Sequence, residues 1–150
     1  MRTTITSLAV VFFLLFITAT NVAAHCEIPC GIYDDELRAN LIYEHTVTIE
    51  KSMKKIAELS KQNPLNYNQL VRWVSNKEEH ATLIQQTVSQ YFMTQRIRPD
   101  AEKYIDKLSV LHKMLQAAMK CKQSTDLADV QNLRSLIKQF EILYFGHSNH

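Results

Sequence analysis

Apolar residues recur every three or four positions through most of the chain, and the few interruptions divide it into elements. From about Asp34 to Gln62, the apolar set Leu37, Leu41, Ile42, Ile49, Met53 and Ile56 predicts an amphipathic helix. Asp34 or Asp35 is suited to cap it, and Glu36 adds charge that suits a helix N-terminus. Asn63-Pro64 is a break. A second helix is expected from about Asn66 to Gln95, on the stripe Leu70, Val74, Lys77, Ala81, Ile84, Val88 and Tyr91. Pro99 suits the first turn of a third helix, carried by Tyr104, Leu108, Leu111, Leu115 and Ala118 and ending near Cys121. Ser124 or Thr125 would cap a fourth, with Asp126 in its first turn and a stripe of Leu127, Val130, Leu133, Ile137, Phe140 and Tyr144. Gly146 is placed as its C′ residue. Four amphipathic helices on short links, with no competing strand signal, predict an all-α, up-down-up-down four-helix bundle over residues 34–146 and a short tail at 147–150. Lys77 interrupts its stripe. Either it snorkels from the edge of the core, or it lends positive charge to a site at the bundle surface.

A different pattern precedes the bundle. Arg2, the continuous apolar run Leu8–Ile17 and the small residues Val22-Ala23-Ala24 have the layout of a secretory signal peptide over residues 1–24. The run is short of the roughly 20 residues a spanning helix needs, although an uncleaved anchor is the competing reading. Removal by signal peptidase would leave 126 of the 150 residues, no membrane attachment, and His25 as the new N-terminus. It would also place the protein in the secretory pathway, in an extracellular, periplasmic or organelle-lumen compartment. The processed chain carries 16 Lys+Arg against 15 Asp+Glu, so nothing in its charge points to nucleic acid or an anionic membrane. A domain of that size can bury a real core without disulfides, and three cysteines are too few and too odd a number for a disulfide scaffold.

The densest chemistry lies at the junction, in His25-Cys26-Glu27-Ile28-Pro29-Cys30-Gly31-Ile32-Tyr33. Once His25 is terminal, its α-amine, the Cys26 backbone nitrogen and the Cys26 thiolate can chelate one metal ion in a plane. Cys30 can return to the fourth position because Pro29 and Gly31 favour a sharp turn. The His25 imidazole is tethered within reach of an axial position. Zinc prefers a tetrahedron, whereas two nitrogens and two thiolates in a plane favour nickel(II) or copper(II). Thiolates tend to reduce copper(II), which favours nickel. A Cys26–Cys30 disulfide in a secreted helical signalling protein is the alternative that spacing alone favours. A nickel or copper carrier without turnover is a second.

This nonapeptide resembles the nickel-binding hook of the nickel superoxide dismutases, whose pattern His-Cys-x-x-Pro-Cys-Gly-x-Tyr stands complete here. The resemblance implies a nickel hook over residues 25–33 and conversion of superoxide to dioxygen and hydrogen peroxide by Ni(III)/Ni(II) cycling. It implies one nickel per chain, held by His25, Cys26 and Cys30, with Pro29 and Gly31 shaping the hook. Tyr33 would order substrate and water over the open face, and the chains would assemble as a homohexamer. Members of this family support the axial histidine with a glutamate on the first helix and an arginine on the second. Glu44 is a counterpart for the first, and Lys77 is the substitute for the second. The remaining histidines, His45, His80, His112, His147 and His150, show no metal-ligand spacing. No Glu-x-x-His pair of the di-iron bundles occurs. His147 and His150 are expected to be exposed in a frayed tail, and Cys121 to be a free, partly buried thiol.

Overall fold

A computed structural model describes residues 34–150. The leader at 1–24 and the hook at 25–33 lie outside the described residues. The described chain is all-α. Helix α1 spans Asp35–Leu59, α2 Tyr67–Gln86, α3 Tyr104–Gln123 and α4 Leu127–Phe145. A π-helical segment, Thr87–Arg96, continues α2 without a break. Consecutive helices pack on each other, and α4 closes the ring against α1. The short links turn the chain back each time, which gives the expected up-down-up-down bundle.

The capping chemistry fixes where the helices start. The Asp34 carboxylate accepts from the backbone N–H groups of Glu36 at 2.8 Å and Leu37 at 3.2 Å, so Asp34 is the cap of α1. Asn66 does the same for α2 through the Gln69 N–H. The cap of α4 is Asp126, not Ser124 or Thr125: its carboxylate accepts from the Ala128 N–H at 2.9 Å. Ser124 instead accepts from the Asp126 N–H and donates to Asp129. Pro99 does not open α3. It lies in a turn closed by Ala101 N–H to the Arg98 carbonyl, and α3 begins at Tyr104 after Lys103 takes a left-handed conformation (φ 54°). Gly146 ends α4 at φ 84°, the left-handed geometry in which glycine carries no Cβ penalty.

Ile42, Ile49, Met53, Ala81, Ile84, Val88, Phe92, Leu111, Met114, Ala118, Val130, Leu133, Ile137 and Phe140 form the centre of one apolar core. Full burial of each large side chain contributes about 1.5–3 kcal/mol. Leu37 was on the expected stripe of α1 but is 53% exposed. At about 100° per residue it stands roughly 140° round the helix from Ile42. The first turns of α2 project past the core: Tyr67, Val71 and Val74 are exposed, and burial begins at Lys77. Buried hydroxyls are satisfied. Thr46 donates to the Tyr43 carbonyl and accepts from Arg134 Nε, and Ser52 donates to the Thr48 carbonyl and accepts from Asn76.

The π-helical segment is the one element that periodicity did not predict. Its register shows in contacts five residues apart: Ile97 N–H to the Phe92 carbonyl at 3.0 Å, and Thr94 Oγ1 to the Ser89 carbonyl at 2.7 Å. In that register residues five apart share a face. Tyr91 and Arg96 therefore point the same way, toward the start of α1.

Candidate metal centre

The proposed ligands His25, Cys26 and Cys30, the shaping residues Pro29 and Gly31, and Tyr33 all lie outside the described residues. Among the described residues no group of three or more His, Cys, Asp or Glu side chains converges as a metal site. The described chain does show how the first turn of α1 is held.

Two residues after Tyr33, the Asp35 carboxylate is held from two other elements. Tyr144 Oη donates to Oδ2 at 2.7 Å, and Arg96 donates to the same oxygen from Nη2 at 2.9 Å and Nε at 3.1 Å. Arg96 Nε is also 2.8 Å from Oδ1, where Tyr91 Oη donates as well. Burial alone would raise the Asp35 pKa. The hydrogen bonds from Arg96, Tyr91 and Tyr144, with the Arg96 charge, outweigh it and hold the carboxyl below its ordinary value. Burial and the Asp35 carboxylate push both tyrosines up to about 12, so they remain donors. The first turn of α1 is thereby tied to the π-helical segment and to the end of α4.

Glu44 is exposed on α1, where its backbone carbonyl accepts from Thr48 Oγ1. Lys77 does not sit at the edge of the core, because it is 3% exposed. Its ammonium donates to the carbonyl of Cys121 at 2.6 Å and to that of Lys122, and lies 3.3 Å from the Glu78 carboxylate. These three partners account for its three N–H bonds. Lys77 thus satisfies orphan carbonyls at the C-terminal end of α3 from a neighbouring helix.

Two histidine clusters escaped the sequence reading, as did the network around Asp35. His45 on α1 and His80 on α2 meet edge to face, with their Nδ1 atoms 2.9 Å apart. Burial, then the His80 charge, lowers the His45 pKa, and Glu44 opposes the shift. His150 is not in a frayed tail. Its ring stacks on Tyr43 at 3.8 Å between centroids, and its Nε2 lies 3.0 Å from Asn40 Oδ1 and 3.6 Å from buried Glu141. Ser148 donates to the same Glu141 carboxylate at 2.6 Å. Local spacing carried no signal for either cluster, because the partners are 35 and 110 residues apart. Cys121 is fully buried where partial burial was expected, and its thiol is pushed up to about 11 by burial.

A family model described as nickel-containing superoxide dismutase matches residues 20–148. Two curated proteins named superoxide dismutase [Ni] are similar to the chain. The one from Streptomyces seoulensis is 26% identical over 131 residues, covering 87% of this chain and 93% of that protein. The one from Streptomyces coelicolor is 29% identical with the same coverage. No solved structure matches.

Proposed function

The chain belongs to the nickel-containing superoxide dismutase family, and from that premise we propose that residues 25–33 are its nickel hook. It is a superoxide dismutase, an oxidoreductase with superoxide as substrate and nickel as cofactor. The observation that carries the hook reading is the complete His-Cys-x-x-Pro-Cys-Gly-x-Tyr run, placed directly after a leader with a cleavage pattern at Ala24.

The donor set fits the metal: one amine, one amide nitrogen and two thiolates are strong-field donors that favour a planar late transition ion. Nickel held by such donors supplies the one-electron oxidation and reduction that dismutation requires. His25 would hold it with its amine and its imidazole. Cys26 contributes its amide nitrogen and thiolate, and Cys30 the second thiolate. Pro29 and Gly31 turn the chain so that Cys30 comes back to Cys26. Tyr33 would order substrate and water at the site and stand on the route by which protons are delivered. Glu44 is the side chain on α1 suited to orient the His25 imidazole. Lys77 is the counterpart on α2 of the family's arginine, and its ammonium also donates to the Cys121 and Lys122 carbonyls and lies 3.3 Å from the Glu78 carboxylate. Asp35 and its three partners fix the first turn of α1, which begins two residues after Tyr33.

One nickel per chain, release of residues 1–24 by signal peptidase, residence in the secretory pathway or an extracellular, periplasmic or lumenal space, and a homohexameric assembly complete the proposal. The test is nickel content and superoxide dismutation on protein beginning at His25, beside protein with one residue added before it. Activity and one nickel per chain in the first, with loss of activity in the second, are expected. Full activity in the extended form would overturn the amine ligand. Nickel without turnover would make the chain a carrier, and an oxidised Cys26–Cys30 pair without nickel would overturn the hook.

A further inference from the structure

The contact between His45 and His80 has no part in the hook's donor set and satisfies no capping or core requirement. Each imidazole comes from the middle of its own helix, one on α1 and one on α2, and each is only partly buried. The two Nδ1 atoms lie 2.9 Å apart. Two readings of that distance exist. In the first, one ring is the Nδ1–H tautomer and donates to the other, which leaves both as a neutral hydrogen-bonded pair. In the second, both Nδ1 lone pairs turn to one cation.

We propose that His45 and His80 form a second metal site, a two-histidine clamp across α1 and α2 for a divalent late first-row cation of the Ni(II) or Cu(II) type. The bite decides the class of metal. With metal–nitrogen bonds of about 2.0–2.1 Å, nitrogens 2.9 Å apart subtend about 90° at the ion. A tetrahedral ion would need them ~3.3 Å apart at the same bond length. A right angle is the cis edge of a square-planar or octahedral site, the geometry of Cu(II) and Ni(II), not of structural zinc.

The surroundings agree. The ligating form of imidazole is the neutral one, and burial together with the neighbouring His80 favours that form at His45. Glu44 adjoins His45 in sequence, and its charge acts on the ring in the opposite sense. It supplies negative charge beside a cation without occupying the clamp. Among the described residues no third His, Cys, Asp or Glu converges there, so water completes the coordination. A site with two protein ligands and solvent in the remaining positions exchanges its metal readily, which distinguishes it from a closed structural site.

The inference does not depend on the hook, and its test removes the hook's thiolates. The probe is Ni(II) alone, titrated into the full chain carrying Cys26→Ser and Cys30→Ser. Calorimetry follows binding, and NMR follows the side-chain resonances of the two imidazoles. Both imidazoles are expected to respond together as one equivalent is added. In the same background, His45→Ala or His80→Ala should weaken that event more than about tenfold, since loss of even an outer-shell partner commonly costs 10- to 100-fold. Unmoved His45 and His80 resonances at saturating nickel, or single variants that bind like their parent, would overturn the proposal and leave an N–H···N hydrogen bond. Circular dichroism checks that the variants fold. Should they not, the NMR response of the unsubstituted histidines decides the matter.

Discussion

Asp35→Ala is the most informative single change in the described part of the chain. The wild-type carboxylate accepts from Arg96 at 2.9 and 3.1 Å, from Tyr144 at 2.7 Å, and from Tyr91. Hydrogen bonds to a charged group contribute about 1.5–3 kcal/mol each, but summing them would overshoot. The Asp35 side chain is 17% exposed and that of Arg96 28%, so water can replace part of what is lost. Removing one partner of a fully buried pair costs about 3–5 kcal/mol, and this half-screened cluster should lose about 2–4 kcal/mol. For a domain of this size the midpoint of thermal unfolding should then fall by about 10 °C. Tyr144→Phe removes a single bond and should cost about 1–1.5 kcal/mol. The assay is urea unfolding followed by circular dichroism at several pH values. Because the folded Asp35 pKa lies below its ordinary value of 3.8, its contribution is complete above that value and is lost as the pH falls through the folded value. The gap between wild type and Asp35→Ala should therefore close in acid. A loss under about 0.5 kcal/mol at pH 7, or a gap unchanged at low pH, would refute the reading of this network.

Three further outcomes follow from the same geometry. Lys77→Met leaves the Cys121 and Lys122 carbonyls without their donor, and should cost about 2–3 kcal/mol in urea melts with faster amide exchange in the last turn of α3. His45 is held below its ordinary 6.5, so the unfolded chain takes up that proton first. Its contribution is whole above pH 6.5 and declines as the pH falls through the folded value, and His45→Gln should flatten that part of the stability profile measured between pH 7.5 and 5. Cys121, fully buried and with its thiol pushed up to about 11, should resist iodoacetamide at pH 8 in the native protein and react at the rate of unfolding.

What could be read from the sequence follows the range of the interactions involved. Helix existence, the Asp34 cap and the Gly146 terminus depend on residues within one turn of each other, and all three stand as expected. The motif of the proposed hook is legible for the same reason, since its residues stand in one short run of the chain. Locality was not sufficient, since Asp126 rather than Ser124 or Thr125 caps α4 and α3 opens at Tyr104 rather than at Pro99; the other departures arise where a side chain is claimed by a distant element. The interruption at Lys77 could be seen in the pattern, but its destination, the carbonyls at the end of α3, lies 44 and 45 residues away. His45 and His80 are separated by 35 residues and fall on facing helices only after the first turn reverses the chain. The π-helical segment was hidden differently: Val88, Tyr91 and Phe92 satisfy an α-helical stripe, and only the five-residue offset from Tyr91 to Arg96 departs from it. That offset brings both side chains to one carboxylate. The departure from ideal helix therefore sits beside the first turn of α1, and a local rule broken at that position marks a place where tertiary demand prevailed.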